Sequence, residues 1–144
     1  MKKYQSGRSV RGAFTIIEVL VIIVIIGVIA AVVAPRLISR IGQAKTSVAA
    51  NNAASLATAM KLYQVDCGLP ESGASLAILL EKPGNADGWK GPYISNADEL
   101  KDPWGVPYML VIPGVKNTSD FDILCYGADG QPGGTGDNED IRKP

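Results

Sequence analysis

The sequence predicts an α+β fold, in which a long N-terminal helix packs on a small antiparallel sheet of about three strands. Residues 19–34 read VLVIIVIIGVIAAVVA and contain no polar side chain, which is typical of a membrane-embedded helix. Residues 36–64 contain many helix-favouring residues, and their apolar positions recur every three or four residues. Two stretches with strand character, 108–112 and 121–126, lie near the C-terminus. We therefore expect half of the helix in lipid and half on a soluble head.

The second half of the helix is expected to face the head through an apolar stripe. Its members are Ile41, Ala44, Val48, Leu56, Met60 and Tyr63. Pro35 lacks an amide N–H, so it either kinks one long helix or separates two helices. Gly68 and Pro70 are expected to end the helical pattern. Residues 76–80 indicate a short second helix, and residues 93–94 indicate a third short strand.

The formal net charge of zero hides a segregated distribution of charge. Fourteen Lys and Arg balance fourteen Asp and Glu, and His is absent. Residues 1–13 carry four basic side chains and no acid, so the remainder of the chain has a net charge of −4. This balance gives no reason to expect a nucleic-acid partner. The absence of His excludes His-dependent catalytic triads and His-ligated zinc sites, and we do not expect an enzyme.

Residues 13–34 are long enough to span a bilayer. A spanning helix needs about 20 apolar residues, whereas the apolar core of a secretory signal has about 7–15. The basic residues precede the apolar stretch, which predicts a cytoplasmic N-terminus and a head outside the cytoplasmic membrane. A carboxylate in such a helix is costly, so Glu18 is unusual. It either pairs with a cation, such as an α-amine exposed by cleavage just upstream, or lies solvated among the lipid headgroups.

Residues 12–18, Gly-Ala-Phe-Thr-Ile-Ile-Glu, resemble the processing motif of type IV prepilins and pseudopilins. The resemblance implies a type IV pilin-like fold and removal of the leader, residues 1–13, by a prepilin peptidase. Phe14 would then be the first mature residue and would be N-methylated. The family usually carries Gly before the cut, and here Ala13 stands there with Gly12 one place earlier. We favour the Ala13–Phe14 bond, because cutting after Gly12 would move Glu18 from the fifth mature position to the sixth.

The same resemblance implies roles for two residues of the helix. The carboxylate of Glu18 would be neutralised by the Phe14 ammonium of a neighbouring subunit, which would favour assembly and set the stagger between subunits. Pro35 falls at the mature position where these proteins commonly carry a helix-kinking proline. Residues 14–35 would then form the transmembrane and assembly half of the helix, and residues 36–144 the periplasmic head.

Residues 102–108, Asp-Pro-Trp-Gly-Val-Pro-Tyr, resemble an element of the major pseudopilins of type II secretion systems. This resemblance implies a structural subunit that leaves the lipid of the inner membrane and joins a homo-oligomeric periplasmic filament, which helps to export folded proteins. The implied partners are minor pseudopilins, prepilin peptidase and the inner-membrane secretion platform. The alternative is a type IV pilus or competence pilin. A membrane-anchored binding protein or hydrolase is disfavoured, because no SxxK or GxSxG arrangement occurs.

The segment 127–141 combines many glycines with carboxylates, and we call it the acidic loop. By composition, it is either a calcium site or a solvated loop, since Ca²⁺ binds six to eight oxygen ligands. The pseudopilin resemblance implies one structural Ca²⁺. Its expected ligands are Asp129, Asp137 and Asp140, with Glu139 able to replace an acid and a backbone carbonyl near Tyr126 completing the shell.

The two cysteines, Cys67 and Cys125, lie near the end of the predicted helix and in the last predicted strand. A disulfide between them is chemically permitted outside the cytoplasm, and it would stabilise the head by a few kcal/mol. The alternative is a pair of free thiols. The family resemblance does not decide between them.

Overall fold

The computed structural model describes residues 14–144, which belong to two compact units. The first unit ends at Ile38, and the second runs from Ser39 to Pro144. Helix α1, Ile16–Cys67, contributes to both units and continues through Pro35. Two separate helices around Pro35 are therefore excluded, while a kink at this proline stays a prediction. The helix ends immediately before Gly68, as expected.

The apolar half of α1 is exposed in the described part of the first unit. All side chains from Phe14 to Ile38 are exposed. The most apolar 18-residue window of α1 has a mean hydropathy of 3.3, and none of that window is buried. By length and composition, α1 is able to cross a membrane.

The second unit packs the C-terminal half of α1 against the sheet. The buried apolar residues of α1 are Ala49, Ala53, Leu56, Ala57, Ala59, Met60 and Tyr63. The predicted stripe is therefore right for its last three members and wrong for its first three, because Ile41, Ala44 and Val48 are exposed. Four of the eight buried residues of α1 are alanines. From the sheet side, Phe121 and Ile123 are fully buried in the same core.

The predicted three-stranded antiparallel sheet is confirmed. Its strands are β1 (Met109–Val111), β2 (Asp122–Cys125) and β3 (Ile141–Lys143), in the order β1-β2-β3. Leu110 pairs with Ile123 across β1 and β2, and Leu124 pairs with Arg142 across β2 and β3. All four residues of the central strand β2 are buried.

Two of the smaller predicted elements differ from the structure. Residues 93–94 are not a strand, and the third strand is β3 at the C-terminus. The Tyr93 N–H donates instead to the carbonyl of Leu79 at 2.7 Å, which holds this irregular segment against a short helix. That helix, Leu76–Leu79, is the predicted second helix, and it is a 3₁₀ turn capped by Ser75.

Candidate functional site

The N-terminal site lies at the start of α1. Gly12 and Ala13 lie outside the described residues, and Phe14 is 74% exposed. The Thr15 hydroxyl accepts a hydrogen bond from the Glu18 N–H at 3.2 Å and so caps the helix. Glu18 therefore lies in the first turn, where free N–H groups and the helix dipole favour a negative charge.

The sequence-based interpretation of Glu18, as paired with a cation or solvated among the headgroups, did not include this capping arrangement. A Thr followed three residues later by Glu has the spacing of a capping box. The signal was therefore present at Thr15 and Glu18 in the sequence. Both roles use the same carboxylate, so each has to be tested separately.

The Asp102–Tyr108 segment forms a tight turn around a buried carboxylate. Asp102 is 6% exposed. Its Oδ1 accepts hydrogen bonds from the N–H groups of Trp104 at 2.9 Å and Val106 at 2.8 Å. Its Oδ2 accepts one from the Cys125 thiol at 3.1 Å. This carboxylate thus joins the turn to the central strand β2, which is a structural role.

Tyr108 connects the same turn to the long helix. Its hydroxyl donates to the carbonyl of Ala49 at 3.0 Å, and the side chain is buried. Burial raises the pKa of the Tyr108 hydroxyl, so it remains a hydrogen-bond donor over the whole neutral range. Trp104 is half-buried and packs at the edge of the core. Both aromatic residues therefore anchor the head.

Cys67 and Cys125 are free thiols in this structure, and a disulfide between them stays one of the two sequence-based alternatives. Cys125 is buried and directed to Asp102, whereas Cys67 lies beside Tyr63. Each sulfur therefore has a different neighbour. Burial raises the pKa of the Cys125 thiol to about 11, and the hydrogen bond to Asp102 acts in the same direction.

The end of α1 carries an ion pair that the sequence did not reveal. Asp66 accepts hydrogen bonds from the Lys90 ammonium at 2.7 Å and from the Tyr93 hydroxyl at 2.9 Å. These two donors lower the pKa of Asp66, with Lys90 contributing most. The residues are far apart in sequence and belong to no recognisable motif. Their contact fastens the segment around residue 90 to the helix.

The acidic loop contains two 3₁₀ turns, Gly127–Asp129 and Gly136–Asn138. Asp129 accepts a hydrogen bond from the Gln131 N–H at 3.1 Å. Asp140 accepts one from the Gly133 N–H at 3.0 Å and lies 3.6 Å from the Arg142 guanidinium. These two expected calcium ligands thus organise the backbone of their own loop.

The other expected ligands are placed differently. The Asp137 carboxylate lies against Gly42 of α1, and Glu139 is exposed. Within residues 14–144, no group of three or more Asp, Glu, Cys or His side chains is arranged to hold a metal ion. The donor chemistry still fits Ca²⁺, because carboxylates and carbonyls such as that of Tyr126 are all oxygen donors. An ion in this arrangement needs carbonyls and water for most of its shell.

A family model described as Type II secretion system (T2SS), protein G, matches residues 36–144. The chain belongs to this family. It is 38% identical over 139 residues to the type II secretion system core protein G of Pseudomonas aeruginosa, covering 93% of this chain and 95% of that one. It is 36% identical over 132 residues to the protein of the same name from Vibrio cholerae, covering 89% and 88%.

A solved structure has the same fold as this pseudopilin. It is the major pseudopilin from the type 2 secretion system of enterohaemorrhagic Escherichia coli, with a TM-score of 0.59 and 29% identity. The match covers 75% of this chain and 93% of that one. The predicted type IV pilin-like fold is therefore confirmed, and the family is structural rather than enzymatic. The matched head contains both the Asp102 turn and the acidic loop.

Proposed function

We propose that this pseudopilin is a structural subunit of a type II secretion pseudopilus, a periplasmic filament that helps to drive export of folded proteins. The observation that carries the proposal is the apolar half of α1, whose side chains are exposed from Phe14 to Ile38. Such a surface needs lipid or other apolar helices around it. The inner membrane supplies lipid before assembly, and neighbouring subunits supply helices afterwards. Family membership favours secretion over a pilus or competence role.

The proposed topology and partners follow from this surface and from the charge pattern. The four basic residues before Phe14 support a cytoplasmic N-terminus, with the head in the periplasm. Prepilin peptidase removes the leader, residues 1–13. Minor pseudopilins and the inner-membrane secretion platform contact the growing filament of identical subunits.

Within the filament, Glu18 pairs with the Phe14 ammonium of a neighbouring subunit. An uncompensated carboxylate in lipid costs up to about 2.5–3.5 kcal/mol at mid-membrane, so pairing favours assembly. Two variants separate this role from helix capping. Glu18→Gln keeps the size and hydrogen-bonding groups but loses the charge, whereas Thr15→Ala loses the observed cap and keeps the carboxylate.

The test uses a strain that lacks the chromosomal gene and carries one variant on a plasmid. Glu18→Gln should block filament assembly and exoprotein release while membrane levels stay normal, and Thr15→Ala should support both. Normal filaments from Glu18→Gln would refute the pairing. If the strain that lacks the gene loses twitching or DNA uptake but still releases exoproteins, the protein is instead a pilus subunit.

The acidic loop is proposed to bind one structural Ca²⁺ through Asp129, Asp137 and Asp140, with Glu139 and the Tyr126 carbonyl available nearby. Support comes from the oxygen donors of its carboxylates and backbone carbonyls, which are the ligands that Ca²⁺ takes. The ion would fix the loop beside β3, and its affinity would add to the stability of the head.

Calcium binding is tested on the mature full-length chain in detergent. Calcium should raise the melting temperature of the head relative to EGTA, and Asp129→Asn should remove most of that rise. This variant retains the oxygen that accepts from Gln131, so the loop turn survives. Asp87→Asn, at an exposed acid outside the loop, is the matched control and should respond like the wild type. Equal melting temperatures in calcium and EGTA would leave a solvated acidic loop.

A further inference from the structure

The turn formed by Asp137 and Asn138 lies in a cradle of three glycines, which we call the glycine cradle. Gly42 belongs to α1, whereas Gly127 and Gly134 belong to the acidic loop. A Cβ atom added at Gly42 would overlap the Asp137 carboxylate, and one added at Gly134 would overlap the Asn138 carbonyl. One added at Gly127 would lie 2.8 Å from the Asp137 carbonyl oxygen, which is closer than real Cβ contacts.

The three glycines are needed for different reasons. Gly127 and Gly134 have φ angles of +71° and +88°, a region that glycine adopts without strain. Gly42 lies inside the helix, where its backbone conformation suits any residue and where Ala is more favourable. At Gly42 only the contact with Asp137 requires the absence of a side chain.

The same contact determines where the head begins to cover α1. Among the described residues of α1, Gly42 is the first buried position, and the next is Ala49. At a rise of 1.5 Å per residue, these positions lie about 10 Å apart along the helix. The three atoms nearest to the Gly42 Cβ position all belong to Asp137. The acidic loop therefore covers α1 at Gly42, about two turns before Ala49.

We propose that the Asp137–Asn138 turn is a clasp that fastens the acidic loop to α1 at Gly42. The clasp depends on shape: the bare Cα of Gly42 leaves room for the carboxylate of the exposed Asp137 side chain, and an added Cβ would have to displace that carboxylate. It joins the C-terminal loop to the helix two turns before the main core begins. The clasp shares Asp137 with the calcium proposal, but it is a contact within the head and needs neither the ion nor the secretion role.

The test is the sign of the change in melting temperature for Gly42→Ala in mature full-length protein in detergent. With Asp137 present, the variant should lower the melting temperature of the head, because the added methyl group displaces the clasp. With Asp137→Ala, the same substitution should raise it, because Ala is the better helix former. Asp137→Asn keeps the shape without the charge, so Gly42→Ala should lower the melting temperature there as well.

Gly27→Ala is the matched control, since it is a helix glycine with nothing within 4 Å of its Cβ position. It should leave the melting of the head unchanged. Hydrogen exchange gives a second measurement: Gly42→Ala and Asp137→Ala should both speed exchange of amides 43–48 and spare those at 56–63. All measurements are made in calcium and in EGTA.

Two results would overturn the clasp. One is a higher melting temperature for Gly42→Ala with Asp137 present, in both buffers. The other is an equal fall in melting temperature on Gly42→Ala with Asp137 and with Ala at position 137, which would mean that the added methyl group overlaps some other residue. If Gly42→Ala lowers the melting temperature with Asp137 and raises it with Ala at position 137, both in EGTA, the clasp is supported even when calcium has no effect on stability. The clasp and the calcium proposal can therefore fail separately.

Discussion

Replacing Asp102 should destabilise the head strongly, and the size of the effect depends on which replacement is made. The Asp102 carboxylate accepts three hydrogen bonds: from the N–H groups of Trp104 and Val106 and from the thiol of Cys125. Asp102→Ala removes both acceptor oxygens and therefore all three hydrogen bonds. Asp102→Asn keeps the oxygen that holds the two backbone N–H groups and changes only the oxygen that faces Cys125.

The magnitudes follow from which donors lose their partner. An unsatisfied buried donor costs about 1–3 kcal/mol, and the lower end applies to Trp104 and Val106 because both are half-buried. Two backbone donors and one weak thiol donor then give a loss of about 3 kcal/mol for Asp102→Ala. Asp102→Asn affects only the contact with the thiol, for which we expect about 1 kcal/mol. In a domain of this size, 1 kcal/mol corresponds to about 4–8 °C in melting temperature.

The assay is thermal unfolding of the mature full-length protein in detergent, followed by near-UV circular dichroism. Both tryptophans, Trp89 and Trp104, lie in the head, so this signal reports the head and not the apolar half of α1. Asp102→Ala should melt at least about 10 °C below the wild type, and Asp102→Asn should lie between them. Cys125→Ser retains a hydroxyl donor and should stay within about 4 °C of the wild type.

Two outcomes would refute this explanation of the Asp102 turn. If Asp102→Ala melts within about 2 °C of the wild type, the three hydrogen bonds contribute nothing net. If Asp102→Asn is as unstable as Asp102→Ala, the negative charge matters rather than the two backbone hydrogen bonds. In either case the Asp102–Tyr108 segment would need another reason for its conformation.

Two further predictions concern the buried thiol and the processing site. Because burial raises the pKa of Cys125 from 9.0 to about 11, the folded state retains a proton that the unfolded state loses. The stability that this proton contributes is complete below pH 9.0 and falls as the pH rises to about 11. Melting temperatures over this range should therefore decline less steeply in Cys125→Ala than in the wild type. Equal slopes for the two proteins would contradict the assignment of Cys125 as a buried thiol. Mass spectrometry of assembled filaments should find an N-methylated Phe14 as the first residue, and an intact leader in those filaments would exclude cleavage at Ala13–Phe14.

Sequence periodicity predicted the long helix correctly but misplaced part of its buried face. The predicted stripe includes large apolar residues such as Ile41 and Val48, and both are exposed. The head instead packs on small residues such as Ala49 and Ala53, which are fully buried in its core. Hydrophobicity ranks Ile above Ala, so the pattern alone favours the wrong face where close packing selects the smaller residue.

The missed parts of the site share a different cause. The Asp66–Lys90 ion pair and the contact of Gly42 with Asp137 join residues far apart in sequence, and neither set of residues has a characteristic spacing. The position of the third strand was not predicted, because Ile141–Lys143 contains two charged residues. Charged residues are common in edge strands, and this segment pairs with β2 as one. Local patterns predict local elements, whereas these features exist only once the chain has folded.

The Glu18 carboxylate has one role within its own helix and a second role that we propose for the assembled filament. A helix that starts in or near lipid exposes N–H groups without water to satisfy them, and such groups are costly there. Thr15 satisfies the N–H of Glu18, and the acid in the first turn interacts favourably with the remaining N–H groups. The first turn of α1 therefore gives Glu18 a local role that exists in the isolated subunit, whereas the proposed pairing with the Phe14 ammonium of a neighbouring subunit serves the register of the filament.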